Sequence, residues 1–288
     1  MKKILVPTDF SAPAWVASDV AIDLAQKLSA EVHFYSRIYV HPQWDDLSDS
    51  ARAEFPESFA QLHDLQEKFQ ELEARYQNKG VRIVTSYSHG DVPNVVSQYI
   101  KNENIYLVVM GSSGADGLKE LLFGSNAQKI VNQANCPVMV IKHPPKDLTF
   151  KHLVFASDFH NSSIDAFEWL IDFGTSFGSH IHLLAVESAN ASPYTVMGLK
   201  KRMANFEKRC WRLPCTSHVF GDVNVELGIR HYAQDNQCDL ITLVTTGKSP
   251  LQKLMEGSIS ERLVNHVEMP ILTLHAQKKQ VEDHKLAS

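Results

Sequence analysis

Apolar positions along the chain fall into two alternating patterns. Residues 3–7, Lys3-Ile4-Leu5-Val6-Pro7, form a short aliphatic run that predicts a strand buried on both faces. Residues 12–29 place Val16, Val20, Leu24 and Leu28 at helical spacing, and Pro13 falls in the first turn, where its missing N–H costs nothing. The alternation continues with a strand at 31–38 and one long or two shorter helices over 46–78. Strands follow near 82–87, 105–110 and 137–142, with helices at 92–103 and 125–134. A second series of strands lies near 152–156, 180–186, 214–220, 239–244 and 270–274. Strands alternating with helices over short connections predict an α/β fold with a doubly wound parallel sheet. Right-handed crossovers then place helices on both faces of the sheet.

The two series are copies of one another. Residues 2–38 align without a gap on 151–187, so that Thr8-Asp9-Phe10 faces Ser157-Asp158-Phe159, and Val32-His33-Phe34 faces Ile181-His182-Leu183. Farther on, 106–141 aligns on 239–274, pairing Gly114 with Gly247, Gly124-Ser125 with Gly257-Ser258, and Pro137 with Pro270. The offset between copies falls from 149 to 133, so the first carries 16 more residues, most of them placed in the helical stretch from about Gln43 to Asn78. The expected domains are 1–143 and 150–276, joined near Pro144-Pro145-Lys146-Asp147. Their fifth strands, Val138–Ile141 and Ile271–Leu274, are apolar edges that need cover.

Composition narrows the function. The formal charge of −5 lacks the basic footprint of a nucleic-acid-binding protein, so nucleic acid is not expected as a partner. No run approaches a membrane span and the N-terminal apolar run is too short for a signal peptide, which predicts a cytoplasmic protein with no membrane partner. Cys136, Cys210, Cys215 and Cys238 form no CxxC pair and are expected to be reduced.

The candidate chemistry lies past strands one and four, because ligands of an open parallel sheet bind outside the carboxyl ends of the strands. Strand one ends in Pro7-Thr8-Asp9, and strand four in Met110-Gly111-Ser112. The loop then carries Gly114, and Gly124-Ser125-Asn126 opens the next helix. Gly111 is read as letting a ligand approach without a Cβ in the way, and Gly114 as opening the loop through positive φ. Ser125 is a good N-cap, and the free N–H groups of that first turn suit a phosphate. Asp9 is placed to accept hydrogen bonds from sugar hydroxyls. A glycine-rich surface turn before an ordinary capped helix explains the same spacing equally well.

These residues resemble the universal stress protein family, and the resemblance covers 1–142 and 150–275. The pattern Gly111-x2-Gly114-x9-Gly124-Ser125, with Val6-Pro7-Thr8-Asp9 and Cys136-Pro137-Val138-Met139-Val140, is similar to the ATP-binding signature of that family's nucleotide-binding branch. The resemblance implies two tandem doubly wound domains, each a five-stranded sheet of order 3-2-1-4-5, with ATP, with or without magnesium, in the crevice. It assigns Pro7, Thr8 and Asp9 to adenosine, Met110, Gly111, Ser112 and Gly114 to ribose and phosphates, and Gly124, Ser125 and Asn126 to the phosphate-binding helix start. Arg37 falls where the family commonly has an aliphatic residue and is left out of that set. The second copy has Val244 in place of the first glycine and Glu256 before Gly257, so one nucleotide per chain is expected, held by the first copy. The resemblance also implies an intrachain pseudo-dimer in which the fifth strands meet, with a homodimer and an unidentified protein partner as further options.

No P-loop, GxSxG, HExxH or pyrophosphatase loop is present. Binding is therefore favoured over turnover, with at most slow ATP hydrolysis, and no catalytic residue is assigned. Two readings stay open: an ATP-binding stress or signalling module, and a nucleotide-free tandem scaffold for an apolar ligand or protein partners. Among the 14 histidines, His180 and His182 share one strand face and His33 matches His182, but no third and fourth metal ligands are placed. His152 with His160 is a weaker zinc candidate. The charged stretch Glu67–Arg75 is read as a solvated helix face, and Gln277–Ser288 as a fraying tail.

Overall fold

A computed structural model describes residues 1–40, 44–52, 54–89, 92–112, 129–131, 133–144, 148–188, 192–245, 267 and 269–276. The chain divides into two compact units. The first comprises Met1–Thr149 with Glu261–Thr273, and the second Phe150–Ser260 with Leu274–Ser288. Among the described residues, no helix is long and apolar enough to cross a membrane.

The first unit is built on β1 (Lys2–Pro7), whose Ile4, Leu5 and Val6 are fully buried. Burial on both faces explains the aliphatic run, since a central parallel strand has no solvated side. α1 (Ala12–Leu28) packs through Ala14, Ala17, Ala21 and Ala25 with Val20, Leu24 and Leu28. Its C-cap Ser29 takes the left-handed conformation, φ 50°. β2 (Ala30–Arg37) pairs parallel with β1, Lys3 opposite Glu31 and Leu5 opposite His33. The expected helical stretch resolves into a 3-10 turn at Trp44–Asp46, a short α2 (Asp49–Arg52), a long α3 (Pro56–Tyr76) and a second 3-10 turn at Gln77–Lys79. Pro56 restarts the helix, because proline is tolerated in a first turn and not inside one. Only Ser58, Leu65, Phe69, Leu72 and Tyr76 of α3 are buried, so its charged stretch is the solvated face expected. Arg75 and Tyr76 both donate to the Asp19 carboxylate, at 2.9 and 2.7 Å, which ties α3 to α1. β3 (Ile83–Ser88), α4 (Val92–Glu103), β4 (Leu107–Gly111) and β5 (Val138–Ile141) complete the unit. The strand order is β3-β2-β1-β4-β5, all parallel. Within this unit Ile271–Thr273 pair antiparallel with Val140–Val138, covering that edge.

The second repeat arranges its first four strands in the same parallel order as the first repeat. Its elements are β6 (His152–Ala156), α5 (Ile164–Thr175), β7 (His180–Ser188), α6 (Pro193–Glu207), β8 (Cys215–Asp222), α7 (Val225–Asp235), β9 (Leu240–Thr245) and β10 (Ile271–His275). Phe155, Phe159, Phe167 and Phe206 pack edge-to-face or tilted against one another in its core. The expectation of four reduced cysteines fails at one pair: Cys210 and Cys215, with Cα atoms 6.0 Å apart, form a disulfide between the end of α6 and β8. The tight connection brings them within bonding reach, which residue spacing alone does not reveal. Cys136 and Cys238 are buried free thiols, and burial pushes each up to about 12.

A histidine–tyrosine link recurs in both copies. His33 Nδ1 lies 2.8 Å from the Tyr99 hydroxyl, and His182 Nδ1 lies 2.9 Å from that of Tyr232. In the first unit His33 Nε2 donates to Glu31 Oε1 at 3.1 Å, and Lys3 and Arg82 approach the same carboxylate at 3.9 and 3.3 Å. Burial alone would raise the Glu31 carboxyl, but the His33 hydrogen bond and the charges of Arg82, His33 and Lys3 together hold it below the usual carboxylate range. A lowered folded-state value adds stability above the unfolded carboxylate's range, and that stability is lost as pH falls through the folded value. Replacing Glu31 with Gln is expected to cost about 1.5–3 kcal/mol at neutral pH, the worth of hydrogen bonds to a charged group. Urea melts of both proteins from pH 7 down to pH 3 should converge on acidification, and a constant difference between them would contradict this.

Candidate functional site

The connection from β1 to α1 is a tight double turn. Thr8 Oγ1 accepts from the Phe10 N–H at 3.0 Å, and Asp9 Oδ1 accepts from the Ser11 N–H at 3.0 Å. Between them Phe10 adopts φ 61°, a conformation that bulky side chains avoid. The second copy repeats this: Ser157 Oγ accepts from Phe159 N–H at 3.0 Å, Asp158 Oδ1 from His160 N–H at 3.4 Å, and Phe159 has φ 57°. Each phenylalanine then docks on the helix joining the second and third strands, Phe10 on Phe69 with ring centres 5.5 Å apart and Phe159 on Phe206 at 5.1 Å. The repeated hydroxyl-Asp-Phe motif is therefore a chain-reversal device before it is anything else. Asp9 spends one carboxylate oxygen on this turn.

Beyond that turn, the carboxyl ends of β1, β2 and β4 in the first unit open on a cavity of about 650 Å³. That volume falls within the range of small-molecule and cofactor pockets. Pro7, Thr8, Asp9, Met110 and Gly111 line it, so five residues chosen from the sequence meet in one place. Ser112 does not line it. It is 4% exposed, and among the described residues its hydroxyl has no hydrogen-bond partner. Gly114, Gly124, Ser125 and Asn126 lie outside the described residues, as do Gly247, Glu256, Gly257 and Ser258 of the second copy.

The cavity also has walls that sequence reasoning passed over. Lys68, Asp64 and Leu65 of α3 face it, as do Val92, Val95 and Val96 of α4. Of these only Leu65 and Val96 belong to the buried stripes that the sequence pattern signals, and only the fold says which stripe faces the strand ends. Arg37 and Tyr39 form its rim, the guanidinium carbon 4.0 Å from the Tyr39 ring centre and Nη1 donating to the Tyr39 hydroxyl at 3.2 Å. Arg37 Nε is buried without a hydrogen-bond partner among the described residues. Tyr35 lies on the floor, its hydroxyl 2.5 Å from Ser88 Oγ, and burial raises its pKa so that it remains a neutral phenol.

Gly111 has a different duty from the one read in the sequence. A Cβ there would fall 2.2 Å from the carbonyl oxygen of Pro13 and 2.4 Å from its carbonyl carbon. The glycine is required by the first turn of α1 crossing the end of β4, whether or not a ligand is bound. In the second copy, where Val244 replaces the glycine, the residues matching the start of α1 form a 3-10 turn, Asn161–Ser163, and the α-helix begins only at Ile164. A Gly111→Val exchange is therefore not neutral to the fold. It should lower the stability of the first unit by at least about 1–3 kcal/mol, the usual cost of overpacking. An unchanged denaturant midpoint for this variant would contradict that account.

The histidines also come together differently. His152 joins His180 and His182 in one cluster, with one ring nitrogen of each within 4.8 Å of the others, supplying the third member that the sequence does not place. Burial, then the neighbouring His180, His152 and His218 rings, push His182 down to about 4. His160 lies apart, its Nε2 3.8 Å from Asp158 Oδ2.

Comparisons with known proteins agree with the two-copy architecture. A model of the universal stress protein family matches residues 1–142 and 149–275. The universal stress protein MJ0531 of Methanocaldococcus jannaschii is 30% identical over 154 residues, covering 51% of this chain and 85% of that protein. YxiE, a universal stress protein of Bacillus subtilis, is 27% identical over 155 residues, covering 49% of this chain and 98% of its own. Among solved structures, a universal stress protein from Archaeoglobus fulgidus DSM 4304 superposes with a TM-score of 0.75 at 18% identity, over 96% of this chain and 98% of that one.

Proposed function

The chain belongs to the universal stress protein family, and on that premise we propose that its first half binds ATP in the crevice beside Asp9 and acts as a nucleotide-responsive module in stress response or signalling. The observation that carries this reading is the 650 Å³ cavity at the carboxyl ends of β1, β2 and β4, lined by Pro7, Thr8, Asp9, Met110 and Gly111. In this reading the adenine lies against the apolar wall of Ile38, Val92, Val95 and Val96. The second oxygen of the Asp9 carboxylate, free of the Ser11 N–H, accepts from ribose hydroxyls. The ammonium of Lys68, which donates to Asp64 at 2.7 Å, lies on the phosphate side, with Gly114, Gly124, Ser125 and Asn126 completing the phosphate cradle. Magnesium, where present, would be carried in by the polyphosphate. No residue is assigned as a base for an attacking water, so the site is read as one that holds nucleotide rather than turns it over.

Nucleotide released by denaturing the purified chain and resolved by ion exchange should include ATP, and equilibrium dialysis should saturate at one ATP per chain. Asp9→Asn keeps the acceptor needed by the turn and removes the charge, so it should fold like the parent while binding ATP more weakly by about 10-fold, one lost charge-assisted hydrogen bond. Saturation at two per chain, or unaltered binding by Asp9→Asn, would overturn the assignment to the first half. No bound nucleotide at millimolar ATP would overturn nucleotide binding altogether and leave the tandem scaffold as the function.

A further inference from the structure

At the other end of the strands from the crevice, the two copies carry one polar cluster in two chemical forms. In the first unit it is Lys3, Glu31, His33 and Tyr99, an ion-pair network closed by Lys3 donating to Glu103 at 2.8 Å. The repeat places His152 at the position of Lys3, His180 at that of Glu31, His182 at that of His33 and Tyr232 at that of Tyr99. The ammonium and the carboxylate have thus both been exchanged for imidazoles. Removing both leaves three imidazoles in contact.

We propose that His152, His180 and His182 bind a divalent transition-metal ion of the zinc type. The strand register makes the grouping: His152 is paired directly with His180, and His182 lies two residues on along the same face of β7. His152 Nδ1 is 3.2 Å from His182 Nε2, and the His180 and His182 rings stack with centres 4.6 Å apart. Two of the rings are already held from behind. His182 Nδ1 is 2.9 Å from the Tyr232 hydroxyl, and His180 Nε2 is 3.1 Å from Thr216 Oγ1. Both partners are hydroxyls that accept as readily as they donate. Each ring can therefore keep its proton on the outer nitrogen and present the inner lone pair, the arrangement by which outer hydrogen bonds orient metal-bound histidines.

Three neutral imidazoles with no carboxylate suit zinc, copper or nickel rather than magnesium or calcium, which take oxygen ligands. His182 is buried, while His152 and His180 remain accessible to solvent, which provides an entry path. Three protein ligands leave the fourth tetrahedral position to water or to an external ligand, as in open zinc sites. His218 stays outside the ligand set. It shares Thr216 with His180, at 3.0 Å, and its ring stacks on His182 at 6.0 Å. The site is independent of the nucleotide reading and is formed wholly within the second unit.

The repeat supplies its own control. The double variant H152K/H180E restores the residues with which the first copy folds, and it should fold while losing the site. Titration of the full chain with zinc ion against a chromophoric chelator should show one saturable equivalent. That equivalent should be absent in H152K/H180E, retained in H160N, and weakened about 10–100-fold in Tyr232→Phe, the usual effect of removing an outer partner. Should the double variant fail to fold, nitrogen-15 spectra of the histidine rings in the unaltered chain decide the matter, since zinc should move the resonances of His152, His180 and His182 first. No saturable equivalent in the unaltered chain, an undiminished one in folded H152K/H180E, or first shifts on other histidines would overturn the proposal.

Discussion

Each half turns out of its first strand through an unfavourable backbone conformation on which the start of its first helix depends. At Phe10 and Phe159 a large aromatic residue is held at φ 61° and 57°, where a side chain costs roughly 1–2 kcal/mol. The cost is met locally by the hydroxyl and carboxylate of the two preceding residues, and at longer range by docking of the ring on Phe69 or Phe206. The turn swings the chain from the central strand straight into the first helix. That in turn brings the Pro13 carbonyl against Gly111 in the first unit. The mouth of the crevice, the start of α1 and the identity of the residue at the end of β4 are thus consequences of one constraint.

Much of this was legible before any coordinates. The aliphatic run of β1, the helical stripe of α1 and the repeat itself follow from periodicities that burial imposes directly, and the sheet order follows from the family resemblance. Five of the ten residues chosen for the site line the cavity because strand ends can be counted from the sequence. What escaped has a common cause. The φ of Phe10, the contact between Gly111 and Pro13 and the Cys210–Cys215 bond depend on how close two segments approach, which no residue pattern encodes. The histidine cluster depends on inter-strand register, His152 against His180. That register could have been inferred from the repeat, had Lys3 and Glu31 been recognised as facing each other in the first copy.

The copies have diverged at opposite ends of one scaffold. At the carboxyl ends of the strands the first copy keeps Phe10 half-buried, with Lys68 5.9 Å from its ring centre and an open cavity beside it. In the second, Phe159 is 1% exposed among Phe155 and Phe206. At the amino ends the first copy retains an ion-pair network while the second carries histidines. Neither change alters the strand order, because in each case the exchanged groups are balanced by neighbours within the same copy. A fold of this kind can carry separate sites on its two copies without disturbing either core.

The claim that one turn, present twice, frames a nucleotide crevice only in the first half is tested most directly by amide hydrogen exchange with and without ATP. Thr8–Ser11 and Met110–Ser112 should gain protection when nucleotide is added, while the equivalent turn at Ser157–His160 should exchange at the same rate in both conditions. Protection at Ser157–His160 without protection at Thr8–Ser11 would contradict the account.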